Sequence, residues 1–280
     1  MLFKALNEIY ANHEILIDEP MSNHTSFKIG GKVKALVIPS DFKQIEKTID
    51  LCHRLEQPFF IMGNGSNILV EDSGIDALII KISDALSKVS IEDDLVIAEA
   101  GVLLSKLSKV VLRESLQGFE FASGIPGTLG GAIFMNAGAY GGEMKDVIEW
   151  VDVMTMCGEV LRVDRDHLQF GYRTSIVKDR NYIVLRVGIR LKKGDLQIIK
   201  EITNELTKKR VSKQPLELPS AGSTFKRPSG YFAGQLIEEA GLRGLRHGDA
   251  QVSEKHCGFI VNLGNATCKE VMELISVVQK

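Results

Sequence analysis

The sequence predicts a mixed α+β fold, on three observations. Apolar residues at helical spacing take turns along the chain with short runs of strand character. Two glycine-rich segments, GNGSN at 63–67 and FASGIPGTLGGAIFMNAGAYGG at 121–142, fall between those elements. No helical period begins at Asn67, directly after the first segment, so the layout is strand, glycine loop, strand. A Rossmann or P-loop phosphate site needs a helix to start at that loop, and both are excluded.

The elements follow in order. Residues 41–57 read as a helix: Asp41 caps it, Phe42, Ile45, Ile49, Cys52 and Leu55 recur on one face, and Pro58 stops it. A strand is expected at 59–62. The glycine loop 63–67, the apolar run 68–70 and the turn EDSG lead to a second strand at 77–82. A strand at 95–98 precedes an amphipathic helix at 102–116, which runs through Gly118 into the second glycine segment. Strands are expected at 148–156, 159–163 and 182–191, the first two joined by a turn at Cys157 and Gly158. Helical period returns at 195–211, with cations near its C-terminus where they suit the helix dipole. Residues 213–227 read as loop, punctuated by Pro215, Pro219 and Gly222. The last helix starts at Thr267, which forms a capping box with Glu270, and its apolar face is Val271, Leu274, Ile275 and Val278.

Composition narrows the class. The chain has 280 residues, 44% hydrophobic and 25% charged, which excludes disordered and fibrous proteins. Lys and Arg total 34 against 36 Asp and Glu, so the net charge gives no reason to expect a nucleic-acid or membrane partner. No signal peptide or membrane span is visible, and a cytoplasmic location is expected. Cys52, Cys157, Cys257 and Cys268 are widely spaced and form no CxxC pair, so zinc and a disulfide framework are not expected, and the thiols are read as reduced and mostly buried.

Several segments bear on chemistry. The 121–142 segment carries seven glycines among apolar residues such as Ile125, Leu129 and Ile133, which makes it a packed segment rather than a linker. Glycines there let backbone approach a surface and turn N–H groups onto an anion. GNGSN alone reads as a turn joining strands; with the second segment, the pair offers two loops for a pyrophosphate. Asn136 either supplies its amide to a ligand or satisfies its own loop. Arg173, in FGYRTS, stands among aromatic and hydroxyl residues suited to holding a guanidinium for a carboxylate or phosphate, although most arginines are surface residues. Ser223, in AGSTFKRP, lacks a GxSxG elbow and a local His and Asp; near Lys226 and Arg227 it reads as a proton donor or anion ligand. Gln251, Ser253, Lys255 and His256 precede a buried strand, and a lone histidine there reads as structural.

Six ordered motifs give the chain a resemblance to a known family: TSFKIGG (25–31), GNGSNILV (63–70), GFEFASGIPGTLGGAIFMNAGAYGGE (118–143), GYRTS (171–175), GSTFKRP (222–228) and GDAQVSEKHCGFIVN (248–262). The chain resembles the UDP-N-acetylenolpyruvoylglucosamine reductases, the MurB flavoenzymes of peptidoglycan synthesis, in their shorter, Gram-positive-like branch. The resemblance implies an FAD-binding fold of the vanillyl-alcohol-oxidase type in two subdomains, 1–84 and 85–192, and a substrate-binding domain at 193–280. It implies that FAD is held by Gly63, Asn64, Gly65, Ser66 and Asn67, and by Gly124, Ile125, Pro126, Gly127, Gly130, Gly131, Asn136, Gly138, Ala139 and Tyr140, with no metal.

The implied reaction is NADPH-dependent. A hydride would pass from NADPH to the flavin, then from flavin N5 to C3 of the enolpyruvyl ether of UDP-N-acetylglucosamine. Arg173 would bind the carboxylate and stabilise the developing charge, Ser223 would protonate C2, and Lys226 and Gln251 would line the substrate side. A monomer acting on these small molecules, without nucleic-acid or membrane partners, is expected. A binding module without chemistry would carry the same flavin motifs, but the presence of both Arg173 and Ser223 argues against it. In the family, a glutamate on a strand after the final helix assists the reaction. The chain reaches Lys280 without it, so a truncated, impaired enzyme is expected.

Overall fold

The computed structural model describes residues 1–280. Its elements in chain order are α1 (Leu2–Ile9), β1 (Ile15–Pro20), β2 (Lys32–Val37), α2 (Phe42–Arg54), β3 (Phe59–Met62), β4 (Ile75–Lys81), β5 (Val89–Glu92), β6 (Leu95–Glu99) and α3 (Leu104–Arg113). Then come β7 (Leu116–Gln117), α4 (Leu129–Phe134), β8 (Gly138–Ala139), β9 (Gly142–Glu143), β10 (Ile148–Met154), β11 (Val160–Asp164), α5 (Ile176–Asp179), β12 (Ile183–Arg190), β13 (Lys192–Lys193) and α6 (Leu196–Lys213). The chain ends with α7 (Ala233–Glu239), β14 (Arg246–His247), β15 (Ala250–Val252), β16 (Ile260–Asn262) and α8 (Cys268–Val278).

The chain forms two compact units that do not follow its order: 1–16, 35–64 and 77–208 make the first, and 17–34, 65–76 and 209–280 the second. The three consecutive domains expected from the sequence are thus regrouped. The physical reason lies in the second unit's core, where Phe27 and Ile29 pack with Val252, Ile260, Val271 and Leu274. A segment from near the N-terminus therefore supplies part of the core of the C-terminal unit.

The first unit holds a sheet ordered β11-β10-β12-β6-β5, antiparallel throughout. A second sheet, ordered β1-β2-β4-β3, ends in a parallel β3–β4 pair. No helix bridges β3 and β4, as the sequence indicated. α2 begins where Asp41 accepts the Gln44 N–H at 2.8 Å, a cap worth about 1 kcal/mol, and buries Ile45, Ile49 and Leu51. Its Thr48 hydroxyl meets the Tyr10 phenol at 2.6 Å. Burial holds that phenol well above its ordinary range and pushes the Cys52 thiol up to about 11. Cys52, Cys257 and Cys268 are buried, Cys157 is exposed, and all four are free thiols.

Trp150 lies across Gly188 on the neighbouring strand; a Cβ on Gly188 would stand 2.3 Å from the indole. The Arg162 guanidinium covers the same ring at 3.7 Å and pairs with the buried Asp152, which also pairs with Arg186. In the second unit, β14-β15-β16 form an antiparallel sheet, and α8 is closed by the Thr267–Glu270 capping box. Asp72 also accepts the Cys268 and Lys269 N–H groups at 2.7 and 3.0 Å, a cap supplied from a distant segment.

Several elements differ from the sequence reading. The helix expected at 102–116 shortens to α3, because Leu103 and Thr128 form a strand-like bridge at its start and Leu116–Gln117 pairs with β13 at its end. α4 forms inside the glycine segment. α1 and α7 were missed: neither has a side-chain N-cap, and α7 contains Gly234.

Candidate active site

Within the first unit, Gly63 at the start of GNGSN lies against Thr128 of the second glycine segment. A Cβ on Gly63 would stand 2.1 Å from the Thr128 hydroxyl, so no other residue fits where the two loops meet. Beyond Gly63, the N–H groups of Asn64, Gly65, Ser66 and Asn67 donate to no acceptor in the protein. Gly65 turns through φ 65°, and its carbonyl accepts the Ser26 N–H at 3.0 Å. Asn64 and Asn67 are exposed, and Gly65 is buried.

None of the seven glycines of the second segment is buried, although the segment packs through its apolar residues. Its buried residues are Phe121, Ala122, Thr128, Leu129, Ala132, Ile133 and Asn136, whereas Gly124, Gly127, Gly130 and Gly138 are half-exposed and Gly131 is exposed, like Pro126. Ile125 packs, partly buried, on the main core, and Ala139 is half-exposed. The apolar side chains anchor the segment, and its glycines keep partial exposure.

α4 emerges here because its first N–H groups find acceptors off the helix: Leu129 donates to the Val102 carbonyl at 2.9 Å and Gly130 to that of Ala100 at 2.8 Å. Those groups are therefore unavailable to an anion. β8 and β9 form a hairpin tipped by Tyr140 and Gly141, at φ 54° and 90°. Two successive positive φ values are what a two-residue hairpin loop requires, and they leave the Tyr140 ring exposed.

Asn136 resolves to the loop-satisfying alternative. It is only 1% exposed; its Nδ2 donates to Glu143 Oε2 at 2.8 Å and to the Gly171 carbonyl at 3.0 Å, and its Oδ1 accepts the Lys145 N–H at 3.0 Å. Its side chain faces protein on every polar edge and offers no free donor to a cofactor.

Arg173 lies at the tip of a tight turn closed by Gly171 and Thr174, whose N–H groups donate to each other's carbonyls at 3.1 and 3.4 Å. Its backbone is at φ 58°, in the left-handed region that side chains disfavour. The guanidinium stands 5.3 Å from the Tyr172 ring and pairs with no carboxylate of the protein. After the turn, Ser175 is fully buried and donates to the Phe134 carbonyl at 3.0 Å.

In the second unit, Ser223 lies on a segment without regular structure that is stitched along residues 258–262. Ser223 bridges Phe259, the Thr224 N–H donates to the Gly258 carbonyl at 2.8 Å, and the Asn262 N–H donates to that of Pro219 at 2.9 Å. Ser26 adds a hydrogen bond to the Ser220 carbonyl at 2.7 Å. The exposed Ser223 hydroxyl reaches the Gly258 carbonyl only at 3.4 Å. A Cβ on Gly258 would lie 3.2 Å from that hydroxyl and 3.0 Å from the His256 ring, so a side chain there would crowd both.

Lys226 is exposed three residues beyond Ser223. Gln251 pairs with Val261 across β15–β16, donates to the Gly244 carbonyl at 3.2 Å, and lines a cleft of about 370 Å³ with Pro215, Glu217, Ser253, Lys255 and Val261. His256 Nδ1 accepts the Gly258 N–H at 3.1 Å, and burial lowers its pKa, with Arg243 and Lys213 adding to the effect; it is a neutral structural ring.

Thr128, Glu143, Lys145 and Ser26 support this site and escaped the sequence reading. Each lies in or beside a glycine motif, and that proximity was the available signal. No cluster of His, Cys, Asp or Glu is arranged to hold a metal. No helix is long and apolar enough to cross a membrane.

Two family models match the chain: an FAD binding domain over residues 33–164, and the C-terminal domain of UDP-N-acetylenolpyruvoylglucosamine reductase over 214–280. The UDP-N-acetylenolpyruvoylglucosamine reductase of Alkaliphilus oremlandii is 56% identical over 99% of this chain and 91% of its own length. That of Clostridium tetani is 50% identical over 98% and 89%. A solved structure, UDP-N-acetylenolpyruvylglucosamine reductase (MurB) from Thermus caldophilus, superposes with a TM-score of 0.83 at 36% identity, covering 95% of this chain and 94% of that one. Alkyldihydroxyacetonephosphate synthase aligns over 68% of this chain and 40% of its own, with a TM-score of 0.54 at 16% identity, a likeness of fold alone.

Proposed function

The chain belongs to the UDP-N-acetylenolpyruvoylglucosamine reductases, FAD-dependent oxidoreductases of peptidoglycan precursor synthesis, and on that premise we propose that Arg173 and Ser223 are its catalytic residues for the enolpyruvyl ether of UDP-N-acetylglucosamine. The observation that carries this is Arg173 at the tip of a closed turn, its guanidinium paired with no carboxylate of the protein. A planar, permanently charged fork in that position is suited to receiving a substrate carboxylate through two parallel hydrogen bonds. Negative charge develops on that carboxylate and on C2 as C3 is reduced, and a preplaced cation stabilises it without reorganisation.

Ser223 then donates its hydroxyl proton to C2. A serine is a weak acid, and the step requires a carbanion-like acceptor held at hydrogen-bond distance with water excluded. Its long contact to Gly258 leaves the hydroxyl free to rotate toward such an acceptor.

FAD fits the residues present. The free N–H groups of Asn64, Gly65, Ser66 and Asn67 suit a pyrophosphate, and the half-exposed small residues Gly124, Gly127, Gly130, Gly138 and Ala139, with Ile125, Pro126, Gly131 and Tyr140, suit the rest of a dinucleotide. When bound, FAD carries the hydride from NADPH to C3 of the enolpyruvyl group. Gln251 and Lys226 take the UDP-sugar side. The enzyme works as a monomer in the cytoplasm, with no nucleic-acid or membrane partner, in keeping with a net charge of −2.

The test separates the two halves of the reaction. The purified chain is expected to carry FAD. Arg173→Ala should slow reoxidation of the reduced enzyme by the enolpyruvyl substrate about 10²–10³-fold, and Ser223→Ala about 10²–10⁴-fold, while reduction by NADPH keeps its parent rate. A colourless folded chain, or reoxidation at the parent rate in either variant, overturns the assignment concerned.

A further inference from the structure

We infer that Asn136 is a positioning residue for Arg173, setting the place of the guanidinium through the carbonyl of Gly171. The inference rests on the reading that Arg173 receives the substrate carboxylate.

A turn that holds a side chain at φ 58° has lower-energy conformations open to it, and it keeps this one only where the surroundings over-determine it. The two backbone bonds between Gly171 and Thr174 close the turn but do not fix it in space. Two side chains do. Asn136 Nδ2 donates to the Gly171 carbonyl before the turn, and Ser175 Oγ donates to the Phe134 carbonyl after it, both at 3.0 Å. Asn136 and Phe134 belong to the end of the second glycine segment, so the arginine turn is joined at both ends to the proposed cofactor wall.

The orientation of the Asn136 amide is also determined. Its second N–H meets Glu143 Oε2 and its oxygen meets the Lys145 N–H, so a flipped amide would set oxygen against a carboxylate and a carbonyl, and NH₂ against an N–H. With 1% exposure, water cannot take over any of these bonds. An aspartate here would keep the shape and lose both donors. It would face Gly171 and Glu143 with repulsion and free the start of the arginine turn.

Asn136→Asp, made in the FAD-loaded enzyme, tests this. Expected are a fall of about 10²-fold in the rate of reoxidation by the enolpyruvyl substrate, as for a misplacement of about 1 Å, and an unchanged rate of reduction by NADPH. By calorimetry, binding of the enolpyruvyl substrate to the oxidised enzyme should weaken about tenfold, while binding of UDP-N-acetylglucosamine, which lacks the carboxylate, stays as in the parent. In an Arg173→Ala background, Asn136→Asp should add little, because the two act as one unit.

Equal losses for both sugar ligands, a parallel loss of reduction by NADPH, or full additivity with Arg173→Ala overturns the positioning role. Parent reoxidation in Arg173→Ala alone would instead overturn the reading beneath it. Should Asn136→Asp fail to fold, Ser175→Ala, which cuts the other tie, decides by the same readouts.

Discussion

The two units hold their reactive side chains by opposite means. In the first, Arg173 stands on a backbone conformation that side chains disfavour, fixed by hydrogen bonds from two buried residues, Asn136 and Ser175. In the second, Ser223 rides on an irregular segment stitched by backbone bonds, and its own hydroxyl is exposed and loosely bonded. The difference matches the chemistry proposed for each. A guanidinium that must present two donors in register to a carboxylate gains from immobility. A hydroxyl that hands over its proton must turn from one acceptor to another, and a tight bond in the resting protein would oppose it. The units also differ in core: the first has an extensive one, whereas the second has a small cluster drawn from three separate segments.

The largest effect that would sharpen this contrast is in the second unit's core. Phe27→Ala removes a side chain that is 3% exposed there and should cost about 3–5 kcal/mol. Hydrogen exchange is expected to show protection falling together over 17–34, 65–76 and 209–280, with 77–208 little changed. Loss of protection throughout the chain would mean that the units do not open separately. Gly63→Ala probes the first unit. The new methyl meets the Thr128 hydroxyl, which should cost about 1–3 kcal/mol and weaken FAD retention. Thr128→Ala in the same chain should restore much of both, and a Gly63→Ala chain that melts and binds FAD as the parent does would break the claim that the two glycine loops meet there.

The smallest effect concerns pH. His256 has its pKa lowered by burial in the folded state, so its contribution to stability is present above its unfolded value near 6.5 and is lost as pH falls through the folded value. Acid destabilisation beginning below about pH 6.5 should therefore be weaker in His256→Asn than in the parent. Equal pH profiles in denaturant melts would show that the ring is not the titrating group.

Much of the fold was legible where side chains carry their own signal. Asp41 marks the start of α2, the FFIM run gives β3, and Thr267 with Glu270 announces α8. What escaped depends on partners far along the chain. α4 forms in a glycine-rich stretch of poor helix propensity because residues 100–102 accept its first N–H groups. The regrouping of Phe27 and Ile29 with the C-terminal residues leaves no local trace either. The site divides the same way. Arg173 and Ser223 stand out by residue type and motif, whereas the partnership of Asn136 with Gly171 spans 35 positions and exists only in the folded chain. For Asn136 the sequence leaves open a ligand or its own loop, and the structure turns its amide inward.

The interleaving of the two units bears on how the chain emerges from the ribosome. Residues 17–34 and 65–76 leave the exit tunnel long before residues 209–280, with which they share a core. At about 5–20 residues per second, Phe27 and Ile29 wait roughly 10–50 seconds for the partners that cover them. The first unit, whose last segment ends at Lys208, can close while they wait. The part proposed to carry the proton donor is thus the last to be completed during synthesis, and its apolar N-terminal segment around Phe27 and Ile29 is the exposed surface that a nascent-chain chaperone would meet.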